Sequence, residues 1–324
     1  MERFIFIAAI SFAIIFGIVA LAGGGSHFHF DVDGRGTDAV LPATRGHAGA
    51  QTFAGSELQF KYLAAHVTVT PEDRQDFSIE IDNPGHVPMP TISLDGERVV
   101  VDGHLSGRLH HCGQDSADVR GYSSVTLADM PQIVVHAPRA LNIKYGGAGL
   151  AEIGPTQSLN LDFNGCGGAT AGDVAGELKI DLAGSGQVHA GAAHTLNADV
   201  AGSGDVVTGA VADGATVDIG GSGTVTIGSL NGSLDSHGAG SGGVSVNGGA
   251  ITRADLDLAG SGGVTVTGPV QTLKVSIVGS GNVNVNGAVG DVDASIAGSG
   301  NVHATSITGA VHKEIMGPGN VTTG

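Results

Sequence analysis

A Gly-Ser-Gly triplet recurs along this chain with a nearly constant spacing of about 19 residues. Variant triplets centred on Ala148, Cys166 and Pro318 continue the spacing before and after the perfect copies. Ten copies of one unit therefore follow one another, which is typical of a solenoid built from stacked coils. The serines of the perfect triplets are Ser185, Ser203, Ser222, Ser241, Ser261, Ser280 and Ser299.

Apolar and polar residues alternate on both sides of most triplets. Leu178, Ile180 and Leu182 precede Ser185 in alternation, and Val188 follows it. This period of two predicts β-strands with an apolar inner face and a polar outer face. Glycine supplies the tight corner between the two strands. The sequence thus predicts an all-β fold, a single-chain parallel β-helix of about ten coils of 18–20 residues, and a right-handed coil is expected.

The residues before the repeats divide into three segments. Residues 1–22 contain an apolar run from Phe4 to Ala22, which predicts either a cleaved signal peptide or an uncleaved membrane anchor. Residues 23–55 are rich in Gly and His and predict a flexible linker. Residues 56–145 predict a strand-rich N-terminal part of the β-helix domain, with a polar loop from Leu105 to Gly121, and residues 146–324 hold the repeats.

Charge and composition narrow the range of partners. The formal net charge is −17, and tryptophan is absent. Binding of nucleic acid needs clustered Lys and Arg, so this charge argues against a nucleic-acid partner. We expect contact with a membrane only through the N-terminal segment.

The chain has two cysteines, Cys112 and Cys166. Cys166 replaces the serine of an early triplet, whereas Cys112 precedes the repeats. An exported protein folds in an oxidising compartment, which favours a disulfide between them. The alternative is two unpaired small buried residues.

A column of acidic residues is expected on the outer face, four residues before each triplet centre. Stacked carboxylates about 5 Å apart repel one another and could recruit a cation. The spacing lacks the Gly-Gly-x-Gly-x-Asp turn of calcium-binding repeats, however, which favours a solubilising stripe and no dedicated metal site. The first members of the column are Asp162, Asp181, Asp199 and Asp218.

The last coil departs from the repeat in two places. Lys313 occupies an inward position, and Pro318 occupies the corner. Lysine and proline both block the pairing of an exposed strand edge with another chain. We therefore predict that this coil is a cap.

No residue of the repeats carries a catalytic signature. The triplet serines lie outside any Gly-x-Ser-x-Gly motif, and no copy is distinguished by a His/Asp pair. The length of the coils is almost constant along the repeat, which leaves no inserted loop to form a pocket. We expect no catalytic residue and no cofactor.

Gly279-Ser280-Gly281-Asn282-Val283, repeated from Gly298 to Val302, makes the chain similar to a known family. Together with the preceding strands from about Leu58, it resembles the head domain called GIN of putative auto-transporter adhesins. The resemblance implies a β-helix of the bacterial envelope without catalytic residues.

The leading hypothesis is therefore a non-enzymatic exported envelope protein that acts as an adhesin-like, scaffold or binding module. We expect it in the periplasm or at the cell surface, with residues 4–22 as a candidate inner-membrane anchor, and as a monomer. The partner would be an envelope protein or a glycan. The alternatives are a carbohydrate-active β-helix enzyme and an accessory or sensor domain of an envelope complex.

Overall fold

The structure is a computed structural model that describes residues 40–324, and almost all of its regular structure is β-strand. The signal-or-anchor segment and the first part of the predicted linker lie outside the described residues. Within the described residues, no helix is long and apolar enough to cross a membrane. The first nine strands are β1 (Gly46–Ala54), β2 (Glu57–Glu72), β3 (Asp76–Asn83), β4 (Thr91–Asp95), β5 (Arg98–Asp102), β6 (Leu109–Cys112), β7 (Ser116–Val119), β8 (Val125–Thr126) and β9 (Gln132–Pro138).

The repeat region winds as a parallel solenoid of about ten turns, and the predicted fold class is confirmed. The strands before each triplet stack on one another and form what we call the first face, and the strands after each triplet form the second face. The strands of this region are β10 (Ala140–Ile153), β11 (Ser158–Gly165), β12 (Gly168–Ala171), β13 (Val174–Gly184), β14 (Gln187–Ala190), β15 (Ala193–Gly202), β16 (Asp205–Gly221), β17 (Thr224–Gly240), β18 (Gly243–Val246), β19 (Gly249–Gly260), β20 (Gly263–Thr267), β21 (Val270–Gly279), β22 (Asn282–Gly298), β23 (Asn301–Ile307), β24 (Val311–Met316) and β25 (Asn320–Thr323).

Stacking keeps equivalent residues of successive coils in register. Leu178 pairs with Leu159 on one side and with Leu196 on the other. Because the side-chain period of a strand is two, this register keeps the alternating apolar positions on the inner side. Each buried aliphatic side chain contributes roughly 1.5–3 kcal/mol, so the stabilisation is distributed along the coils.

The solenoid begins before the first triplet. Strand β2 is already a coil, because it pairs in parallel with β10 and places Ala64 beside Ala148. On its other side β2 pairs with β5 and β9. Antiparallel strands then cover this end: β4 pairs with β5, and β3 pairs with β9 and β1.

Two sequence boundaries and one predicted loop differ from the strands that the structure has. Strand β1 lies inside the segment predicted as a linker, because its backbone pairs with β3 although most of its side chains are exposed. The boundary between residues 145 and 146 falls inside β10, which is continuous from Ala140 to Ile153. The stretch predicted as a loop contains β6 and β7, which form a small antiparallel sheet with β8.

Aromatic residues fill the core near the beginning of the solenoid. The ring of Tyr145 lies between those of Phe60 and Phe163, with centroids 5.6 and 5.0 Å away. The Tyr145 hydroxyl donates a hydrogen bond of 2.9 Å to the carbonyl oxygen of Ala148, and burial raises the pKa of this phenol. The hydrogen bond satisfies the one polar atom of a ring that is otherwise packed against apolar groups.

The corner glycines approach their neighbours too closely for any side chain. Gly240 has a φ of +127°, and a Cβ atom there would lie 2.3 Å from the carbonyl oxygen of Gly221 in the preceding coil. Only glycine avoids both the backbone strain and the clash. The amide of Ser241 donates to the same carbonyl oxygen at 2.9 Å, so the corner also joins two coils.

Candidate binding surface on the shortened coil

One coil of the solenoid is a residue shorter than its neighbours at the same place. Ala193 is paired with Val174 and Val211, but a single residue, His194, separates it from Thr195, the next paired position. Two residues occupy that interval in the preceding coil, and two in the following coil. The deletion leaves an indentation between the coils on both sides, which we call the notch.

Two adjacent depressions make up the notch. The first has a volume of about 410 Å³ and is mostly apolar. The second has a volume of about 290 Å³ and is mostly polar. The first is lined by Pro155, Thr156, Asp173, Val174, Ala175, Ala192, Ala193, His194 and Ala212. The second is lined by Glu177, Thr195, Leu196, Asn197, Asp213, Gly214, Ala215, Thr216 and Ser233.

The polar groups of the notch differ in how they are used by the fold. The Asp173 carboxylate accepts a hydrogen bond of 2.8 Å from the amide of Ala192 and so joins two coils. Thr156 is only 6% exposed, and its hydroxyl has no hydrogen-bond partner among the residues that the structure describes. Such an unpaired buried group is unfavourable unless a ligand or water satisfies it.

The acidic column stands on the first face, in the register that the sequence predicts. Burial raises the pKa of Asp162 and of Asp199, and the neighbouring carboxylate of Asp181 adds to the effect in both. Lys179 partly neutralises the column, because its Nζ lies 2.8 Å from Asp181 Oδ2. The paired positions in order are Lys144, Asp162, Asp181, Asp199, Asp218, His237 and Asp257.

His237 replaces an aspartate in this column and contacts three carboxylates. Its Nδ1 lies 3.0 Å from Asp218 Oδ1, and its Nε2 lies 3.6 Å from both Asp235 Oδ1 and Asp257 Oδ2. The hydrogen bond to Asp218 raises the pKa of His237, with burial acting in the opposite direction. A protonated imidazole here therefore links three successive coils.

The column does not converge on one ion. Within residues 40–324, no group of three or more His, Cys, Asp or Glu side chains is arranged to hold a metal. Successive carboxylates are separated by the coil spacing of about 4.8 Å, and they face outward in a line. This arrangement fits a charged stripe that keeps the face hydrated.

The structure joins Cys112 and Cys166 in a disulfide, with 5.5 Å between their Cα atoms. Cys112 ends β6 in the small antiparallel sheet, and Cys166 stands at a corner of the solenoid. A second hydrophobic cluster lies under the same sheet and includes Leu105, Met130 and Ala148. The bond thus fastens the small sheet to the side of the solenoid.

Two of the triplet serines, Ser280 and Ser299, form part of a hydrogen-bonded ladder at the corner. The Ser299 hydroxyl donates to the Ser280 hydroxyl at 3.1 Å, and the Asn301 amide donates to the Asn282 side-chain oxygen at 3.2 Å. Each bond joins one coil to the next. These side chains therefore act within the fold.

The last coil has the arrangement expected for the proposed cap residues. Lys313 pairs with Ala294, which is an inward position, yet its side chain is exposed because β24 pairs within the described residues only with β22. Pro318 is exposed at the corner. Whether these two residues prevent association remains a prediction.

The notch was missed by sequence reasoning, which sought pockets in inserted loops. The available signal was the interval between Ser185 and Ser203, which is shorter than every interval between the later triplets. A coil that is one residue shorter than its neighbours can leave a depression between them, just as an inserted loop can enclose one. The disulfide, the acidic column and the inward Lys313 were all visible in the sequence.

Residues 239–323 match the family described as putative auto-transporter adhesin, head GIN domain. The match confirms over this stretch the resemblance noted from the Gly-Ser-Gly-Asn-Val repeats. No curated protein matches the chain significantly.

Several solved structures are distantly similar in fold. A putative adhesin from Parabacteroides distasonis is 16% identical, with 86% of this chain and 97% of that chain covered and a TM-score of 0.41. A putative lipid binding protein from the same organism is 14% identical, with 85% and 97% covered and a TM-score of 0.39. A putative adhesin from Parabacteroides merdae is 16% identical, with 87% and 98% covered and a TM-score of 0.34.

Proposed function

We propose that this protein is a non-enzymatic, exported module of the cell envelope that binds a partner in the manner of an adhesin. The match of residues 239–323 to an adhesin head family is the observation that carries the proposal. The same stretch forms the C-terminal coils of the solenoid, from the end of β17 to β25. A regular stack of coils presents an extended and rigid surface, which suits binding better than chemistry.

The apolar run from Phe4 to Ala22 supports export, and the disulfide supports an oxidising compartment. Export is tested by protease treatment of intact and lysed cells that produce the full chain, compared with a variant lacking residues 4–22. An envelope location is supported if, in cells whose outer layer alone is permeable, the protease cleaves the full chain but not the variant that lacks residues 4–22. Export is contradicted if both proteins resist the protease equally until the cells are lysed.

Binding is tested by the adherence of cells that produce the full chain to surfaces coated with envelope proteins or glycans. Adherence should exceed that of cells lacking the protein. The same glycans are incubated with purified full chain and assayed for new reducing ends. Release of new reducing ends would overturn the proposed binding function and show that the protein is a carbohydrate-active enzyme.

A further inference from the structure

We propose that the notch binds one neutral sugar unit of a glycan. The proposal rests on the binding function proposed above and names the ligand class for it. The argument begins with the shape of the shortened coil. The first depression, at about 410 Å³, lies within the range of roughly 300–1,000 Å³ that small-molecule sites occupy.

The two depressions offer an apolar and a polar surface side by side. Methyl groups of Ala175, Ala192 and Ala212, together with the ring of Pro155, line the first depression. A sugar ring has a face of C–H groups and a rim of hydroxyls. Its C–H face fits the alanine surface, and its rim then lies against the polar depression.

The polar depression holds side chains that the fold leaves unused. None of them makes a side-chain hydrogen bond or an ion pair with another residue of the range 40–324. Hydroxyls and the amide both donate and accept, and carboxylates accept, so together they match sugar hydroxyls, which also do both. An ammonium group would use only the acceptors. The six side chains are Glu177, Thr195, Asn197, Asp213, Thr216 and Ser233.

The charge of the notch determines which sugars it accepts. Asp173, Glu177 and Asp213 contribute carboxylates, and the lining contains no Lys or Arg. An anionic sugar would meet like charge without a counter-ion, which is unfavourable. The ligand is therefore a neutral sugar.

The test is saturation-transfer NMR on the full chain, held in a detergent without a sugar headgroup. The probes are maltotriose, cellotriose, mannotriose and N,N′,N″-triacetylchitotriose, with trigalacturonate and trilysine as charged probes. At least one neutral trisaccharide should receive saturation. Binding of trigalacturonate or trilysine in preference to all four neutral sugars would overturn the proposal, as would binding of none.

Two variants place the binding in the notch. Asn197→Ala should weaken binding of the neutral sugar about three- to tenfold, because one ligand hydrogen bond is lost. Asn284→Ala is the matched control, since Asn284 is also half-buried on a strand but lies outside the notch. Insertion of one glycine after His194 restores the coil to full length and should abolish binding. Equal affinities of the two alanine variants would refute the site even if the insertion variant failed to fold.

The outcomes for the notch and for the proposed function are separable. Cell adherence that persists in the insertion variant would reject the notch as its site and leave the binding function intact. Sugar binding by the purified chain without any cell adherence would retain the notch and reject the adhesin-like function.

Discussion

Removal of the Cys112–Cys166 disulfide should loosen one part of the protein selectively. The double substitution Cys112→Ala with Cys166→Ala opens a loop whose ends are 54 residues apart. Closing a loop of that length removes conformational entropy from the unfolded chain equivalent to about 4 kcal/mol at 25 °C. An opening confined to the small sheet frees only part of this loop, so about 4 kcal/mol is an upper limit for it. Since about 1.4 kcal/mol corresponds to a tenfold change in an equilibrium, local opening should increase by up to about a thousandfold.

The structure indicates which strands lose stability when the disulfide is removed. The small sheet of β6, β7 and β8 pairs with no strand of the solenoid and rests on its own hydrophobic cluster. Strands β20 to β23, by contrast, pair with coils on both sides. In a solenoid each coil is stabilised chiefly by its neighbours, so the loss should remain near the small sheet.

Native-state hydrogen exchange measures both regions in one experiment. Amides of β6 to β8 should lose up to about three orders of magnitude of protection, and amides of β20 to β23 should be unchanged. The control is Ser280→Ala with Ser299→Ala, which removes an exposed hydrogen bond between two coils without breaking a covalent cross-link. Unchanged protection of the small sheet, or two free thiols in the native protein, would refute the reasoning.

Three further experiments test other features. Gly240→Ala should destabilise the protein by about 1–3 kcal/mol in thermal unfolding, whereas Ser241→Ala should change little; equal effects would contradict the corner geometry. His237→Gln should lower the melting temperature most below pH 6.5. The pKa of His237 is raised in the folded state, so its protonated form stabilises the fold at low pH, and this contribution is lost as the pH rises through the raised pKa. A difference in melting temperature between the variant and the original protein that does not depend on pH would count against the carboxylate contacts. Lys313→Val with Pro318→Ser should promote end-to-end association, and light scattering that shows an unchanged monomer would remove the cap.

The repeat region could be derived from the sequence because each of its coils carries the same local information. Alternation around Ser185 placed Leu178, Ile180 and Leu182 on the inner side, and all three are buried. The triplet spacing then determined which residues stack. Repetition made an error at one coil correctable from the next.

The segments that the sequence misjudged have no repeat to correct them. Strand β1 has a Gly- and Ala-rich sequence and forms because β3 offers an unpaired edge, which is a property of the partner strand. Strands β6 and β7 are four residues each and contain His110, His111 and Asp118, a composition that predicts a loop. Long-range pairing overrides local propensity in both places.

The candidate site was hidden for a different reason. In the sequence, the short interval between Ser185 and Ser203 looks like ordinary variation in the length of the repeat. Its structural consequence depends on where in the coil the missing residue would have been. Only the pairing of Ala193 and Thr195 with both neighbouring coils shows that the loss falls at one corner. The sequence shows that the coil is one residue short but does not show where in the coil the residue is missing.

Because the coils pair in register, the length of the solenoid and the shape of the notch depend on different residues. Each internal coil of the repeat region pairs with the coil before it and the coil after it. A whole coil gained or lost far from the shortened coil would therefore leave the residues of the shortened coil and its neighbours unaltered. A single residue gained within the shortened coil would instead remove the indentation while the reach of the protein stayed the same. The number of coils and the shape of the notch can therefore change independently of each other.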